Sequence, residues 1–197
     1  MPAEVLTYFL KNDDRKLRLG FQIALQCAPF LKGLKVSCVI TVEEELFSAL
    51  PEVLSGMDVS WQRLSGSEGK CLVLFYRPDE LREYLKDPQI GRLIGEYGYG
   101  GMDLPGMLRR LGERVRNCAE RGMGFPHEIG AFLGYPAGDV RGFIENGGRD
   151  FLLTGYWKVY QDPAGARMIF KEYDRAKTCA VNEFLNGRSI REIALQM

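Results

Sequence analysis

The segment that most constrains the fold is residues 71–76, because every residue in it is apolar. A short apolar run bounded by turn residues is typical of a strand at the centre of a sheet. A second strand-like segment, residues 58–64, precedes it, and the polar, glycine-containing stretch 65–69 separates the two. This pattern predicts a β-hairpin with a five-residue loop.

Two more segments have strand character. Residues 34–42 are rich in β-branched side chains, and residues 151–161 alternate between aromatic and polar positions. Thr41 is expected to cap a helix over residues 43–54, whose first turn carries acidic side chains. Helical periodicity and cap residues predict the remaining helices at residues 14–32 (broken by Pro29), 79–97 (interrupted near residue 87), 103–121, 127–133, 137–145 and 163–186, with a last short helix after Ser189.

The order of these elements favours an α+β fold with a small mixed or antiparallel sheet. It matches a split β-α-β arrangement, which is a ferredoxin-like sheet, with a helical insertion and C-terminal helices. The length of 197 residues suits a single domain. We expect its α+β core at residues 34–97 plus the strand 151–161, a helical part at 103–147, and C-terminal helices at 163–196.

Composition excludes several classes of function. The 26 basic residues balance the 26 acidic ones, so no global field draws in nucleic acid or an anionic membrane. The short apolar N-terminus lacks the features of a secretory signal, and no apolar run is long enough to span a membrane. The five cysteines contain no C-x-x-C pair, which argues against a closed zinc site. We therefore expect a cytoplasmic protein without nucleic-acid or membrane partners.

The helix predicted at residues 103–121 is rich in arginine. Arginine side chains suit phosphate or carboxylate groups, and on a helix of this kind they also form a solvated outer face. Both interpretations stay open for Arg109, Arg110, Arg114, Arg116 and Arg121.

His127 is the only histidine of the chain. Histidine titrates near neutral pH, so His127 is a candidate general acid/base, together with the adjacent Glu128, and also a candidate metal ligand. The two side chains stand about 100° apart around a helix and do not share a face. Position 131 is alanine, so the zinc-protease pattern H-E-x-x-H is not present. The alternative is a histidine that only caps a helix or packs in the core.

The aromatic strand provides the second group of candidates. Alternation places Trp157 on one face, and Tyr156, Lys158 and Tyr160 on the other. Two tyrosines beside a lysine suit a pocket for a flat anionic ligand. The alternative is a half-buried strand that a helix covers.

The region that contains His127 resembles a bacterial, Firmicutes-type family of domains of unknown function. The resemblance is carried by the triplet P-H-E at residues 126–128 and the run L-G-Y-P at residues 133–136, and it extends over nearly the whole chain. It implies no established activity, but members of that family tend to be encoded near flavodoxins and ferrous-iron uptake proteins. Tyr135 of the second motif joins the candidate ligand-binding residues.

Three hypotheses follow from these residues. The first is a binding or accessory protein of iron or redox metabolism, with His127 as a ligand to iron or haem and a redox protein such as a flavodoxin as a partner. The second is a small enzyme that uses His127 as general acid/base on an anionic substrate. The third is a scaffold without a site. The sequence leaves the cofactor undetermined.

Overall fold

The protein begins with three helices. The computed structural model describes residues 3–122 and 124–195. Within them, α1 spans Ala3–Leu10, α2 Arg15–Gln26 and α3 Ala28–Leu31. Asp14 caps α2, because its carboxylate accepts hydrogen bonds from the backbone amides at the start of the helix. The predicted helix is divided at Cys27, two residues before Pro29, because this proline lies in the first turn of α3 and does not break a helix there.

A three-stranded antiparallel sheet follows. Its elements in chain order are β1 (Ser37–Glu43), the short helices α4 (Glu44–Phe47) and α5 (Leu50–Val53), β2 (Ser60–Ser67) and β3 (Lys70–Tyr76). The strand order is β1-β3-β2, so β3 is the central strand, as its apolar sequence predicts.

Two local predictions in this part of the chain are wrong. The loop between β2 and β3 is only Glu68 and Gly69, whose φ angles of 52° and 73° suit a tight hairpin turn, and the residues before them pair with β3. Thr41 does not cap a helix, because it lies within β1 and pairs with Leu72. Cross-strand pairing outweighs the local capping signal, and the helical stretch after β1 is divided into α4 and α5.

Three helices then cover one face of the sheet. They are α6 (Pro78–Leu85), α7 (Pro88–Gly95) and α8 (Leu104–Glu120). Asp87 caps α7 and Asp103 caps α8, each by accepting backbone N–H groups of the first turn. These boundaries agree with the sequence prediction.

The last part of the chain contains α9 (Ile129–Phe132), α10 (Ala137–Glu145), the short strands β4 (Leu153–Thr154) and β5 (Lys158–Val159), α11 (Pro163–Leu185) and α12 (Ile190–Leu195). Strands β4 and β5 pair only with each other. The predicted single strand 151–161 is therefore a separate hairpin, and the sheet is not ferredoxin-like. The aromatic side chains of this hairpin find their apolar partners on α11 instead of in the main sheet.

The core lies on both faces of the sheet, because the side chains of β3 alternate between them. Cys71, Val73 and Phe75 pack with α2 and α11, whereas Leu74 packs with the helices α6 to α9. A third, smaller cluster joins the β4–β5 hairpin to α11. The α+β class predicted from the sequence is confirmed. No helix in residues 3–122 and 124–195 is long and apolar enough to cross a membrane.

Candidate functional site

A cavity of about 410 Å³ lies between α9, α10 and the β4–β5 hairpin. His127 and Trp157, the two most conspicuous candidates from the sequence, both line it. Its apolar wall is formed by Phe125, Ile129, Val140, Phe143 and Trp157, with Tyr135 beside them. Phe125, His127 and Thr154 are exposed and form its rim.

Asp139 joins α10 to the hairpin. This side chain is only 5% exposed, and its carboxylate accepts three hydrogen bonds. Oδ2 accepts one from Nε1 of Trp157 at 2.7 Å, and Oδ1 accepts two from the backbone amides of Tyr160 (2.8 Å) and Gln161 (3.1 Å). A buried carboxylate needs such donors to offset its lost hydration. The position of Trp157 in the cavity wall is thus determined by a residue of α10.

Close backbone packing brings the two helices of the site together. A Cβ at Gly130 would lie 2.9 Å from Cγ2 of Val140, so the approach of α9 to α10 requires glycine at this position. Gly134, with a φ of 74°, follows the end of α9 in the left-handed conformation that favours glycine. Tyr135 follows, and its ring stacks on Trp157 with 5.2 Å between the ring centroids. Burial raises the pKa of the Tyr135 hydroxyl, so the ring stays neutral at physiological pH.

His127 and Glu128 lie in the turn before α9, which begins only at Ile129 and not at residue 127 as predicted, and their side chains have different surroundings. The ring of His127 packs edge-on against Phe143 at 4.9 Å, and its imidazole makes no hydrogen bond within the described part of the chain. Glu128 is 1% exposed and faces the interior, where it forms an ion pair with Arg114 and accepts a hydrogen bond from the Tyr99 hydroxyl at 3.2 Å. His127 therefore lines the cavity, whereas Glu128 is buried and does not line it.

Only some of the candidate residues on the hairpin line the cavity. Lys158 and Trp157 line the cavity, but Tyr156 and Tyr160 are not part of its wall. The Tyr156 hydroxyl donates to Asp174 of α11 at 2.9 Å, and burial raises the pKa of Tyr156 to about 12. Tyr160 packs its ring against α10. The lysine between the two tyrosines thus reaches the cavity without them.

A metal ion would find few ligands here. Among residues 3–122 and 124–195, no group of three or more histidine, cysteine, aspartate or glutamate side chains lies close enough to hold one. At the cavity wall His127 is accompanied by one acid, Asp139, whose oxygens already accept three donors. The donor set suits a group that needs a single protein ligand and does not suit a bare divalent ion.

Three arginines of α8 bond to neighbouring parts of the protein. Arg114 pairs with Glu128, Arg110 donates to the carbonyl oxygen of Tyr97 at 2.8 Å, and Arg116 donates to that of Leu64 at 3.0 Å. None of the three lines the cavity. The long arginine side chains connect α8 to neighbouring segments. The helical pattern of the sequence does not predict these contacts.

Several wall residues were not among the sequence candidates. Val140 and Phe143 belong to α10, and Thr154 belongs to the hairpin. Nothing in the sequence distinguishes Asp139 from Arg141 and Glu145, the other charged residues of the same helix. Ile129 and Phe125 gave no signal beyond their proximity to His127.

A sequence-family model described as a protein of unknown function (DUF3793) matches residues 23–194. The chain belongs to the DUF3793 family. This confirms the prediction of a family without an established function, and the match includes the whole segment that builds the cavity. Comparisons of this DUF3793 protein with curated proteins and with solved structures find no match.

Proposed function

We propose that this DUF3793 protein binds a small planar molecule in the cavity between His127 and Trp157. The observation that carries the proposal is the cavity itself, about 410 Å³ in volume, apolar over most of its wall and open at a rim that holds the only histidine. This volume falls within the usual range of ligand sites, which combine apolar walls with a few polar groups.

Iron or redox metabolism is the setting we propose for this ligand-binding protein. A bare iron ion requires several carboxylate or imidazole ligands, which the wall does not supply. Haem can be held by a single imidazole from the protein, and His127 would supply it, because its ring packs beside Phe143 and makes no hydrogen bond within the described residues. Haemin titration followed by visible absorption tests this form of the proposal. A Soret shift that His127→Ala abolishes supports haem, and an unchanged spectrum of the wild-type protein contradicts it.

A small enzyme is the second candidate, and the unbonded imidazole favours it. A general acid/base needs a free nitrogen within reach of the substrate, and His127 stands at the rim of a cavity that also holds Lys158 and Thr154. In this case Glu128 contributes through the fold, because its carboxylate faces Arg114 and not the cavity.

Ligand binding is tested with an uncharged aromatic probe. N-phenyl-naphthylamine becomes fluorescent in apolar sites, and we expect saturable binding of one probe per wild-type chain. Thr154→Trp places a large ring at the rim and should abolish binding. Leu152→Trp is the matched control, because Leu152 is 58% exposed on the same hairpin and does not line the cavity.

Two results would overturn the proposal. One is the lack of saturable binding to the wild-type protein, and the other is equal binding to the wild-type protein and the folded Thr154→Trp variant. The scaffold hypothesis predicts that His127→Ala destabilises the fold, since its ring packs on Phe143. The ligand-binding proposal predicts nearly unchanged stability, because the His127 side chain is exposed.

A further inference from the structure

Lys158 places a positive charge at the cavity wall. Its ammonium group donates one hydrogen bond, to the carbonyl oxygen of Gly148 at 2.6 Å. Within residues 3–122 and 124–195, no carboxylate lies at ion-pair distance from it. An ammonium group has three hydrogen-bond donors, so two remain for another acceptor.

Aromatic contacts hold this ammonium group in place. It lies 4.8 Å from the ring centroid of Phe151 and 5.6 Å from that of Phe143. Cation–π attraction and the bond to Gly148 restrict a side chain that is otherwise flexible. The charge is thus positioned before any ligand arrives, which lowers the entropic cost of binding.

The hairpin register places a hydroxyl beside the ammonium group. Thr154 of β4 is the direct cross-strand partner of Lys158 of β5, so both side chains stand on the same face. Both line the cavity, and His127 stands on its rim. Three hydrogen-bonding side chains therefore border the cavity beside its aromatic wall, and two of them, Thr154 and Lys158, are direct neighbours.

The acid at the wall does not neutralise Lys158. Asp139 is the one carboxylate among the described lining residues, and its two oxygens already accept the indole of Trp157 and two backbone amides. The chain as a whole has no net charge. A preference of the protein for anions would therefore arise locally, from Lys158 and its neighbours.

We infer that the ligand of this cavity is a planar aromatic anion whose acidic group is bound by Lys158 and Thr154. Its ring system lies against Trp157 and Phe143, and its carboxylate or similar group accepts the free ammonium donors and the threonine hydroxyl. This inference rests on the proposed ligand-binding function and adds the chemical class of the ligand.

Two probes that differ in one charge test it. Anilinonaphthalene sulfonate carries a sulfonate on the same aromatic scaffold as uncharged N-phenyl-naphthylamine. We expect the wild-type protein to bind the anion about tenfold more tightly than the uncharged probe, which corresponds to one charge-assisted hydrogen-bonded contact. Lys158→Met should weaken binding of the anion more than binding of the uncharged probe, and so remove this preference.

Lys171→Met is the matched control, because Lys171 is exposed on α11 and does not line the cavity. It should retain the tenfold preference. A second measurement needs no variant: raising the ionic strength should weaken binding of the anion to the wild-type protein and leave the uncharged probe unaffected.

The outcomes separate this inference from the proposal on which it rests. If the uncharged probe binds but the anion binds no more tightly, or if Lys158→Met weakens both probes equally, the inference is wrong and the ligand-binding function stands. If neither probe binds to the wild-type protein in a saturable manner, the ligand-binding function fails and the inference falls with it.

Discussion

The carboxylate of Asp139 accepts a hydrogen bond from the indole nitrogen of Trp157 at 2.7 Å, and this bond connects α10 to the β4–β5 hairpin across the base of the cavity. Both side chains are buried, at 5% and 8% exposure. The cavity wall is therefore held by a polar contact in a region that otherwise packs through aromatic rings.

Replacing this carboxylate should loosen the site. Asp139→Ala leaves the indole and two backbone amides without their acceptor, and we expect a loss of about 2 to 3 kcal/mol in the free energy of unfolding. Urea denaturation measures it, and a Trp61→Phe background allows the emission of Trp157 alone to be followed. Asp103→Ala, which removes an exposed helix cap, should cost about 1 kcal/mol and leave that emission unchanged. Equal effects of the two variants would show that Asp139 has no special role.

The ion pair between Arg114 and the buried Glu128 should show strong coupling. Arg114→Met leaves the carboxylate of Glu128 buried without its cation, which we expect to cost about 3 kcal/mol. The double variant with Glu128→Gln should lose less than the Arg114→Met variant, because no charge is then left unpaired. A double-mutant cycle on unfolding free energies measures the coupling. Arg109→Met, at an exposed position of the same helix, serves as control, and additive single effects would contradict the expectation.

The stability of the contact between α3 and α11 should depend on pH through Glu183. Burial alone would raise the pKa of this carboxyl, but hydrogen bonds from the Lys32 ammonium and the Cys179 thiol outweigh it and hold the pKa below its ordinary value of 4.5. A pKa that is lower in the folded state stabilises the fold above the unfolded-state pKa. This stabilisation is lost as the pH falls through the folded-state pKa.

Glu183→Gln should therefore reduce the unfolding free energy by about 2 kcal/mol near neutral pH. The difference from the wild-type protein should shrink as the pH falls below the ordinary carboxyl pKa. Urea titrations over this pH range measure it. Glu172→Gln, at an exposed ion pair of the same helix, should show little difference at any pH. A constant difference between wild-type protein and Glu183→Gln would contradict the assignment.

Gly142 should not tolerate a side chain. A Cβ at this position would lie 2.5 Å from Cγ and 2.6 Å from Cβ of Tyr160, atoms near the main chain that cannot swing away. We expect Gly142→Ala to destabilise the fold by about 2 kcal/mol, although alanine favours helices. Gly91→Ala in α7 is the control. A Cβ at Gly91 would lie 3.6 Å from its nearest neighbour, the carbonyl oxygen of Leu85, which is an ordinary contact. The higher helix propensity of alanine should therefore stabilise the fold of this variant by about 0.5 kcal/mol. Thermal unfolding distinguishes the two, and a stabilised Gly142→Ala variant would refute the close packing.

Helix boundaries were the most predictable part of the fold. Asp103 caps α8 where the sequence predicts a helix start, and Asp87 caps α7 at the predicted interruption, because a cap is a contact within one turn of the chain. The predicted cap at Thr41 failed, since β1 continues through this residue to pair with β3. A strand partner that lies thirty residues away in the chain leaves no mark on the local pattern.

The candidate site was predictable in part. The sequence singled out His127, Trp157 and Lys158, and all three line the cavity. It also selected Glu128 and Tyr156, which the structure directs to Arg114 and to Asp174. Residue type and spacing indicate which side chains could bind a ligand or transfer a proton. They do not indicate which neighbour a side chain reaches.

Local signals alone determined the α+β class, the central strand at residues 71–76 and most helix ends, because caps, apolar runs and turn residues act within a few positions of the chain. Tertiary structure decided that residues 151–161 form their own hairpin, and that Asp139 holds Trp157 there. It also decided that the only histidine faces a cavity while its neighbour Glu128 is buried. These outcomes depend on contacts between distant segments, whose energies arise only when the segments pack together.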